Sequence, residues 1–183
     1  LLGAIPFGYI FTKIIKNIDV REFGSGNIGA TNVARVIGVK YGALIALLDI
    51  LKGFTAVWLV QMFLPDTYVL IPFLAGLLAI LGHDFSVFLK FSGGKGVATT
   101  VGVVIKLLPM VILYGVIIWT LLVILTRYVS LGSILAAVSL PFAAYLINKG
   151  FYSLIFTSIT AILIVYTHRG NIKRLLQGNE NKV

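Results

Sequence analysis

The sequence predicts an all-α integral membrane protein: a single polytopic membrane domain over residues 1–183 with about seven transmembrane helices, N-terminus outside and C-terminus cytoplasmic. Three observations predict it. The chain is 59% hydrophobic, with a mean hydropathy of +1.04. Only 11% of its residues are charged, against roughly 25% in soluble domains. Its apolar residues fall in long runs separated by short polar breaks. A chain of this size cannot hide so much apolar surface in its own core, so lipid must be its solvent.

A helix needs about 20 apolar residues to cross the hydrocarbon layer, with about 17 as a practical minimum. The candidate spans are Leu1 to Ile15, Tyr41 to Leu64, Tyr68 to Leu81, Val97 to Leu108, Met110 to Leu125, Leu131 to Ile147 and Phe151 to Tyr166. The first has no basic stretch ahead of it and no small-residue cleavage site, so it reads as a span rather than a signal peptide. The runs at 1–15, 68–81 and 97–108 are short, so kinked or partly submerged helices are expected. The breaks are LPDT at 64–67, KLLP at 106–109, TRYVS at 126–130 and NKG at 148–150. There is no internal repeat and no soluble domain.

Charge orients the spans. The formal charge is +9, from 15 Lys and Arg against 6 Asp and Glu. In a soluble protein that excess would suggest nucleic acid; here it anchors loops at an anionic leaflet or holds an anionic substrate. With seven crossings, every basic residue but Lys52, Lys106 and Lys149 falls on one side. With six, the C-terminal tail changes sides and the basic residues spread almost evenly. The positive-inside rule selects seven. Three polar segments, 17–38, 82–96 and 168–182, then all face the cytoplasm. The absence of cysteine excludes a thiol nucleophile, an acyl-thioester intermediate and a cysteine metal site.

The first segment holds GSGNIGATNVAR, Gly24 to Arg35. Gly24, Gly26 and Gly29 let backbone approach a ligand closely. Ser25, Asn27, Thr31 and Asn32 supply polar side chains, and Arg35 a charge. Residues 30–37 read as a short helix whose amino end faces an anion. The competing reading is a flexible polar linker.

The second is GHDFSVFLKFSGGKGVATT, Gly82 to Thr100. The N–H groups of Gly93, Gly94 and Gly96 are expected to line an anion nest at a helix start, with Lys95 as a point charge. It is not a nucleotide P-loop. That pattern needs a glycine five residues before Gly94 and a Ser or Thr after the lysine, and Leu89 and Gly96 stand there. His83 and Asp84 read either as an acid–base or metal fragment or as the cap of a helix end.

The third is HRGNIKRLLQGNENK, His168 to Lys182. Ile172, Leu175 and Leu176 predict an amphipathic interfacial helix. His168, Asn171 and Arg174 share another face, as a site for a phosphorylated ligand or for proton transfer would. Within the spans, Asp49 and Lys52 lie three apart and can pair on one helical turn. Intramembrane charges are expensive and usually face protein or water.

Taken together the three segments resemble the bacterial acyl-phosphate:glycerol-3-phosphate acyltransferases, the PlsY family of inner-membrane lipid enzymes. They cover about a quarter of the chain, in the family's order. Ser86 departs from the proline that members often carry there. The resemblance implies transfer of a fatty acyl group from acyl-phosphate to the 1-hydroxyl of glycerol 3-phosphate, giving 1-acylglycerol 3-phosphate and phosphate. It implies a multi-pass protein of the bacterial inner membrane with its site on the cytoplasmic side. The partners are acyl-phosphate, glycerol 3-phosphate and membrane lipid, with no nucleic acid, no metal and no cofactor; a monomer suffices.

Both substrates carry a phosphate, which suits glycine-rich segments with Arg35, Lys95 and Arg174. A mixed anhydride is already activated, so no serine or cysteine nucleophile is needed. The enzyme must bring a hydroxyl within roughly 3–3.5 Å of the carbonyl carbon and neutralise the departing phosphate. On this reading His168, Asn171 and Lys95 are catalytic. Ser25, Gly26, Asn27, Thr31, Asn32, His83, Gly93, Gly94 and Gly96 contact substrate, Arg35 and Arg174 screen a second phosphate, and Ser130 and Ser133 form a rim. Glu180 and Lys182 tie the tail over the pocket. Two bases stay open: His168, oriented by Asn171, or a substrate phosphate oxygen.

Three other classes fit the residues less well. An acyltransferase using acyl-CoA or acyl carrier protein often has His and Asp separated by four residues, but Phe88 and Lys173 stand five past His83 and His168. A transporter of phosphorylated solutes would place polar groups at mid-membrane and show an inverted repeat. A scaffold for anionic lipid would need charge alone.

Overall fold

The computed structural model describes residues 1–147 and 149–183. Every predicted apolar run becomes helix. In chain order the α-helices are α1 (Phe7–Lys16), α2 (Ala30–Ile37), α3 (Val39–Phe63), α4 (Leu70–Asp84), α5 (Val97–Leu107), α6 (Pro109–Thr126), α7 (Val129–Leu146), α8 (Phe151–Thr167) and α9 (Arg169–Leu176). Short 3₁₀ turns cover Leu2–Ala4, Val20–Glu22 and Val87–Leu89. The breaks at 64–67, 106–109 and 126–130 fall where the polar and proline-containing stretches predict them. Asn148, in the NKG break, lies outside the described residues.

Length separates the helices. By length and composition α3, the stretch from α4 through residue 89, α6 and α7 can each cross a bilayer, and α8 with α9 makes a fifth candidate with a 60° bend between them. The run Leu1 to Ile15 is not one helix. Ile5 is extended and Pro6 lies just before α1, so ten residues remain, about 15 Å at the helical rise. The eleven residues of α5 are similarly short, because Leu108 leaves the helical region and Pro109 starts a new helix. The outward faces are apolar: Leu47, Leu51, Trp58 and Met62 on α3 and Leu113, Ile117, Leu121 and Ile124 on α6 are exposed. Helices apolar on the outside as well as the inside belong in lipid.

The chain packs as two compact units, Leu1–Val103 and Val104–Val183. In the first, a buried cluster of Val20, Ile28, Val33, Ile45 and Leu89 holds the 17–29 loop, α2 and α3 together. Gly38, at φ +109°, turns the chain from α2 into α3. α5 lies close along α3: a Cβ on Gly53 would strike the Thr99 carbonyl, and one on Gly102 would strike that of Ile50. The Ser86 hydroxyl donates to the Ala4 carbonyl at 2.6 Å, so the residue that departs from the family's proline anchors the 85–96 loop to the N-terminal 3₁₀ turn.

In the second unit α6, α7 and α8 follow one another as packed neighbours. Gly115 lets α6 meet Leu140 of α7, and Gly132 lets α7 meet Val123 and Trp119 of α6. The tail returns to the α6–α7 corner, where the Val183 N–H donates to the Arg127 carbonyl at 3.0 Å.

Candidate functional site

The loop before α2 is organised by Asn32. Its Oδ1 accepts from the Ser25 N–H at 2.7 Å. Its Nδ2 is within hydrogen-bond distance of the carbonyls of Val20 (3.2 Å), Phe23 (3.0 Å) and Asn27 (2.9 Å). Asn32 is 2% exposed. Both ends of its amide are therefore committed to backbone, and the residue shapes the loop. Asn27 Oδ1 accepts from the Gly29 N–H at 2.8 Å, which sets the turn into α2. Ser25, Gly26 and Arg35 are exposed, and Thr31 is half-buried on the first turn of α2. Beside them Arg21 forks onto Asp19, with Nη2 at 2.6 Å from Oδ2. That hydrogen bond holds the Asp19 carboxyl below its ordinary range. No motif in the sequence singles out this pair.

The glycine–lysine turn differs from a free anion nest. The Gly93 N–H donates to the Asp84 carbonyl at 3.1 Å and the Gly94 N–H to the His83 carbonyl at 2.9 Å. Two of the three expected N–H donors thus clamp the turn to the end of α4. Gly96, at φ +73°, turns the chain into α5, and Lys95 between them is half-buried. The space around the glycines is filled: a Cβ on Gly94 would collide with His83 Nε2, and one on Gly93 with the carbonyls of His83 and Asp84.

Beneath the turn lies a buried chain of charges. Lys52 Nζ is 2.7 Å from Asp49 Oδ1, 2.9 Å from the Ile5 carbonyl and 2.8 Å from His83 Nδ1. The Asp49–Lys52 pair expected on one turn of α3 is present, and it reaches His83 on α4. His83 is 4% exposed and belongs to this chain rather than to an open helix cap. Asp84 is equally buried, and among the described residues neither of its carboxylate oxygens has a hydrogen-bond donor.

In the second unit the bend from α8 into α9 carries His168, Asn171 and Arg174, the face that their spacing predicts. His168 Nδ1 is 2.8 Å from the Ile164 carbonyl. A carbonyl only accepts, so Nδ1 carries the proton and Nε2 keeps its lone pair. Glu180 is the hub. Its Oε1 accepts from Asn171 Nδ2 at 2.6 Å and from Ser130 Oγ at 2.8 Å. Its Oε2 accepts from Arg174 Nε at 2.8 Å. Burial pushes the Glu180 carboxyl up, but the hydrogen bonds from Asn171, Ser130 and Arg174 outweigh it and leave the group below its ordinary value. Lys182 Nζ lies 5.3 Å from the centre of the Tyr128 ring, so Glu180 and Lys182 both hold the tail against the second unit. Ser133 is spent inside the unit: it accepts from Trp119 Nε1 at 3.2 Å and donates to the Val129 carbonyl at 2.9 Å. These bonds join α6 to α7.

Comparison with known proteins follows the same lines. The family model described as glycerol-3-phosphate acyltransferase matches residues 1–178. A glycerol-3-phosphate acyltransferase of Thermoanaerobacter sp. (strain X514) is 45% identical over 183 residues, covering 100% of this chain and 91% of that protein. One of Fusobacterium nucleatum is 44% identical, covering 99% of this chain and 92% of its own. A solved structure of PlsY (YgiH), an integral membrane glycerol 3-phosphate acyltransferase in its glycerol 3-phosphate form, superposes with a TM-score of 0.93 at 42% identity. It is matched over 100% of this chain and 90% of that one. The lysophosphatidic acid form gives 0.90 at the same identity. With its apolar helices and these relatives, the chain is a multi-pass membrane protein of the PlsY type and belongs to the glycerol-3-phosphate acyltransferase family.

Proposed function

We propose that this acyltransferase takes its acyl group from acyl-phosphate, delivers it to the 1-hydroxyl of glycerol 3-phosphate, and releases lysophosphatidate and inorganic phosphate at the cytoplasmic face of the bacterial inner membrane. It crosses that membrane seven times, with its N-terminus outside. The observation that carries this is the His168 ring. Its Nδ1 proton is held by the Ile164 carbonyl, so the proton-accepting nitrogen of the neutral ring is Nε2, and Asn171 and Arg174 follow on the same face of α9. No cysteine exists to form a thioester intermediate, and an acyl-phosphate is already activated, so direct transfer to the hydroxyl suffices.

The step balances as follows. The glycerol hydroxyl oxygen attacks the acyl carbon and forms the ester bond. The carbon–oxygen bond to phosphate breaks, with its electron pair leaving on phosphate. His168 Nε2 takes the hydroxyl proton and passes it to the departing phosphate. Asn171, fixed by Glu180, positions α9 around the imidazole. Lys95 neutralises charge as phosphate leaves, and Ser25, Asn27, Thr31 and Arg35 bind phosphate oxygens. Arg174 keeps one edge of its guanidinium on Glu180 and offers the other to phosphate. The solved relative's glycerol 3-phosphate and lysophosphatidic acid forms support this choice of acceptor and product.

The test supplies purified protein with glycerol 3-phosphate and, in turn, acyl-phosphate, acyl-CoA and acyl carrier protein thioester. Lysophosphatidate formation from acyl-phosphate alone, with no added metal or nucleotide, is expected. Turnover with the thioesters and none with acyl-phosphate would overturn the donor.

A further inference from the structure

We propose that Lys52 is a positioning residue for the glycine–lysine turn. With Asp49 it fixes the His83 ring with its tip against Gly94, and so sets where Lys95 stands. The proposal rests on the reading that this turn holds a substrate phosphate.

An ammonium has three N–H donors and no lone pair. Lys52 meets three partners: Asp49 Oδ1, the Ile5 carbonyl and His83 Nδ1, all within 2.9 Å. The Ile5 carbonyl accepts, Asp49 Oδ1 faces the ammonium as its ion-pair partner, and Nδ1, to which an ammonium can only donate, must accept as well. The ring proton therefore sits on Nε2, opposite to the arrangement at His168. Lys52 is 3% exposed and the Phe7 ring lies 5.6 Å from its Nζ, so water does not compete for these bonds. The imidazole has one orientation. Its tip fills the space where a Gly94 side chain would be, while the His83 carbonyl takes the Gly94 N–H. Ring and turn are thus held at two points by one residue, and Lys95 is the next residue in the chain.

Stability alone does not explain such a chain. Buried ion pairs are often no more stabilising than well-packed apolar side chains of similar volume, and charges within a membrane helix cost more still. What an ionic clamp supplies is a single orientation. Asp49 and Lys52 come from α3 and His83 from α4, so the turn takes its position from two helices instead of from its own flexible glycines.

Three variants test this: Lys95→Ala, His83→Asn, and the charge-free double variant Asp49→Leu/Lys52→Met. Asparagine keeps an acceptor for Lys52 but lacks the ring tip. The double variant leaves no orphaned charge, so it remains foldable. Each is checked for monodispersity and helical content before kinetics. Lys95→Ala is expected to raise KM for one phosphate-bearing substrate. The other two should raise KM for that same substrate and lower kcat with it, for a combined loss of roughly ten- to hundredfold in kcat/KM when a ligand group is displaced by about an ångström. The inhibition constant of inorganic phosphate should rise in parallel. A merely structural role would instead lower the active fraction and leave KM alone. Nitrogen-15 spectra of wild-type protein should show His83 protonated at Nε2; protonation at Nδ1 overturns the proposal. Normal KM values in Lys95→Ala would overturn the reading of the turn itself. A raised KM there with normal values in the other two would overturn the positioning role alone.

Discussion

Asn171 Nδ2 donates to Glu180 Oε1 at 2.6 Å, and this contact ties the tail back to α9. Ser130 of α7 shares the same oxygen and Arg174 holds the other. One carboxylate, with a side chain only 5% exposed, thus joins α7, α9 and the tail. Its removal leaves three donors without their acceptor. Glu180→Ala is expected to cost roughly 1.5–3 kcal/mol, the range for a hydrogen-bonded charged group. The carboxyl is held below its ordinary value of 4.5, so it stabilises the fold above about that pH and loses the contribution as pH falls through the lowered value. Thermal unfolding in detergent from pH 3 to 7 should show a drop at the acid end for wild type. The drop should be shallower in Glu180→Gln, which has no carboxylate to protonate.

Asn32 and Ser25 lie in the same loop but do different work. Asn32→Ala orphans the Ser25 N–H and the carbonyls around it, for about 2–3 kcal/mol. Asn32→Asp is expected to be worse, because a carboxylate faces three carbonyl oxygens and cannot donate to them. Ser25→Ala should leave the unfolding temperature unchanged and lower turnover. Melting curves and rates measured on the same preparations separate the two effects.

Local sequence does not separate these two roles. Paired asparagines among glycines look the same whether their amides face a ligand or the chain's own carbonyls. Only the path of residues 20–27 around the Asn32 side chain decides it. The helices were far more legible, since period and hydropathy are local: all the apolar runs appear, and proline or polar breaks end them. The 97–108 run is found as expected at Val97–Leu107, whereas the 1–15 run is divided at Ile5 and Pro6, a break that its hydropathy does not mark. The His168 face was visible because i, i+3 and i+6 fix it on one element. The link from Lys52 to His83 joins residues 31 apart, and no local pattern pairs them.

Gly93 and Gly94 predict a graded response. A Cβ on Gly93 meets backbone carbonyls that cannot move aside, whereas a Cβ on Gly94 meets the tip of a side chain. Gly93→Ala should yield little folded protein. Gly94→Ala should fold with a displaced imidazole and a raised KM. Adding His83→Ala to Gly94→Ala vacates the clash, so the double variant should be more stable than the two single effects summed. A double-mutant cycle on unfolding free energy measures that coupling, and simple additivity would show that ring and turn are not in contact.

His168 offers the sharpest separation of roles. Its Nε2 has a lone pair because the Ile164 carbonyl claims the Nδ1 proton. If Nε2 takes the hydroxyl proton, His168→Ala should lower kcat by about 10²–10⁴-fold, the usual contribution of a general base, with folding intact. His168→Gln places an amide oxygen near the Nε2 position. That oxygen accepts a hydrogen bond but has almost no basicity. A base role predicts that glutamine is nearly as inactive as alanine. An orienting role predicts that glutamine recovers most of the rate, with a phosphate oxygen of the substrate then taking the proton. Single-turnover rates with acyl-phosphate and glycerol 3-phosphate distinguish the two, because they report the chemical step apart from product release. The expected result is that neither variant turns over at more than a small fraction of the wild-type rate.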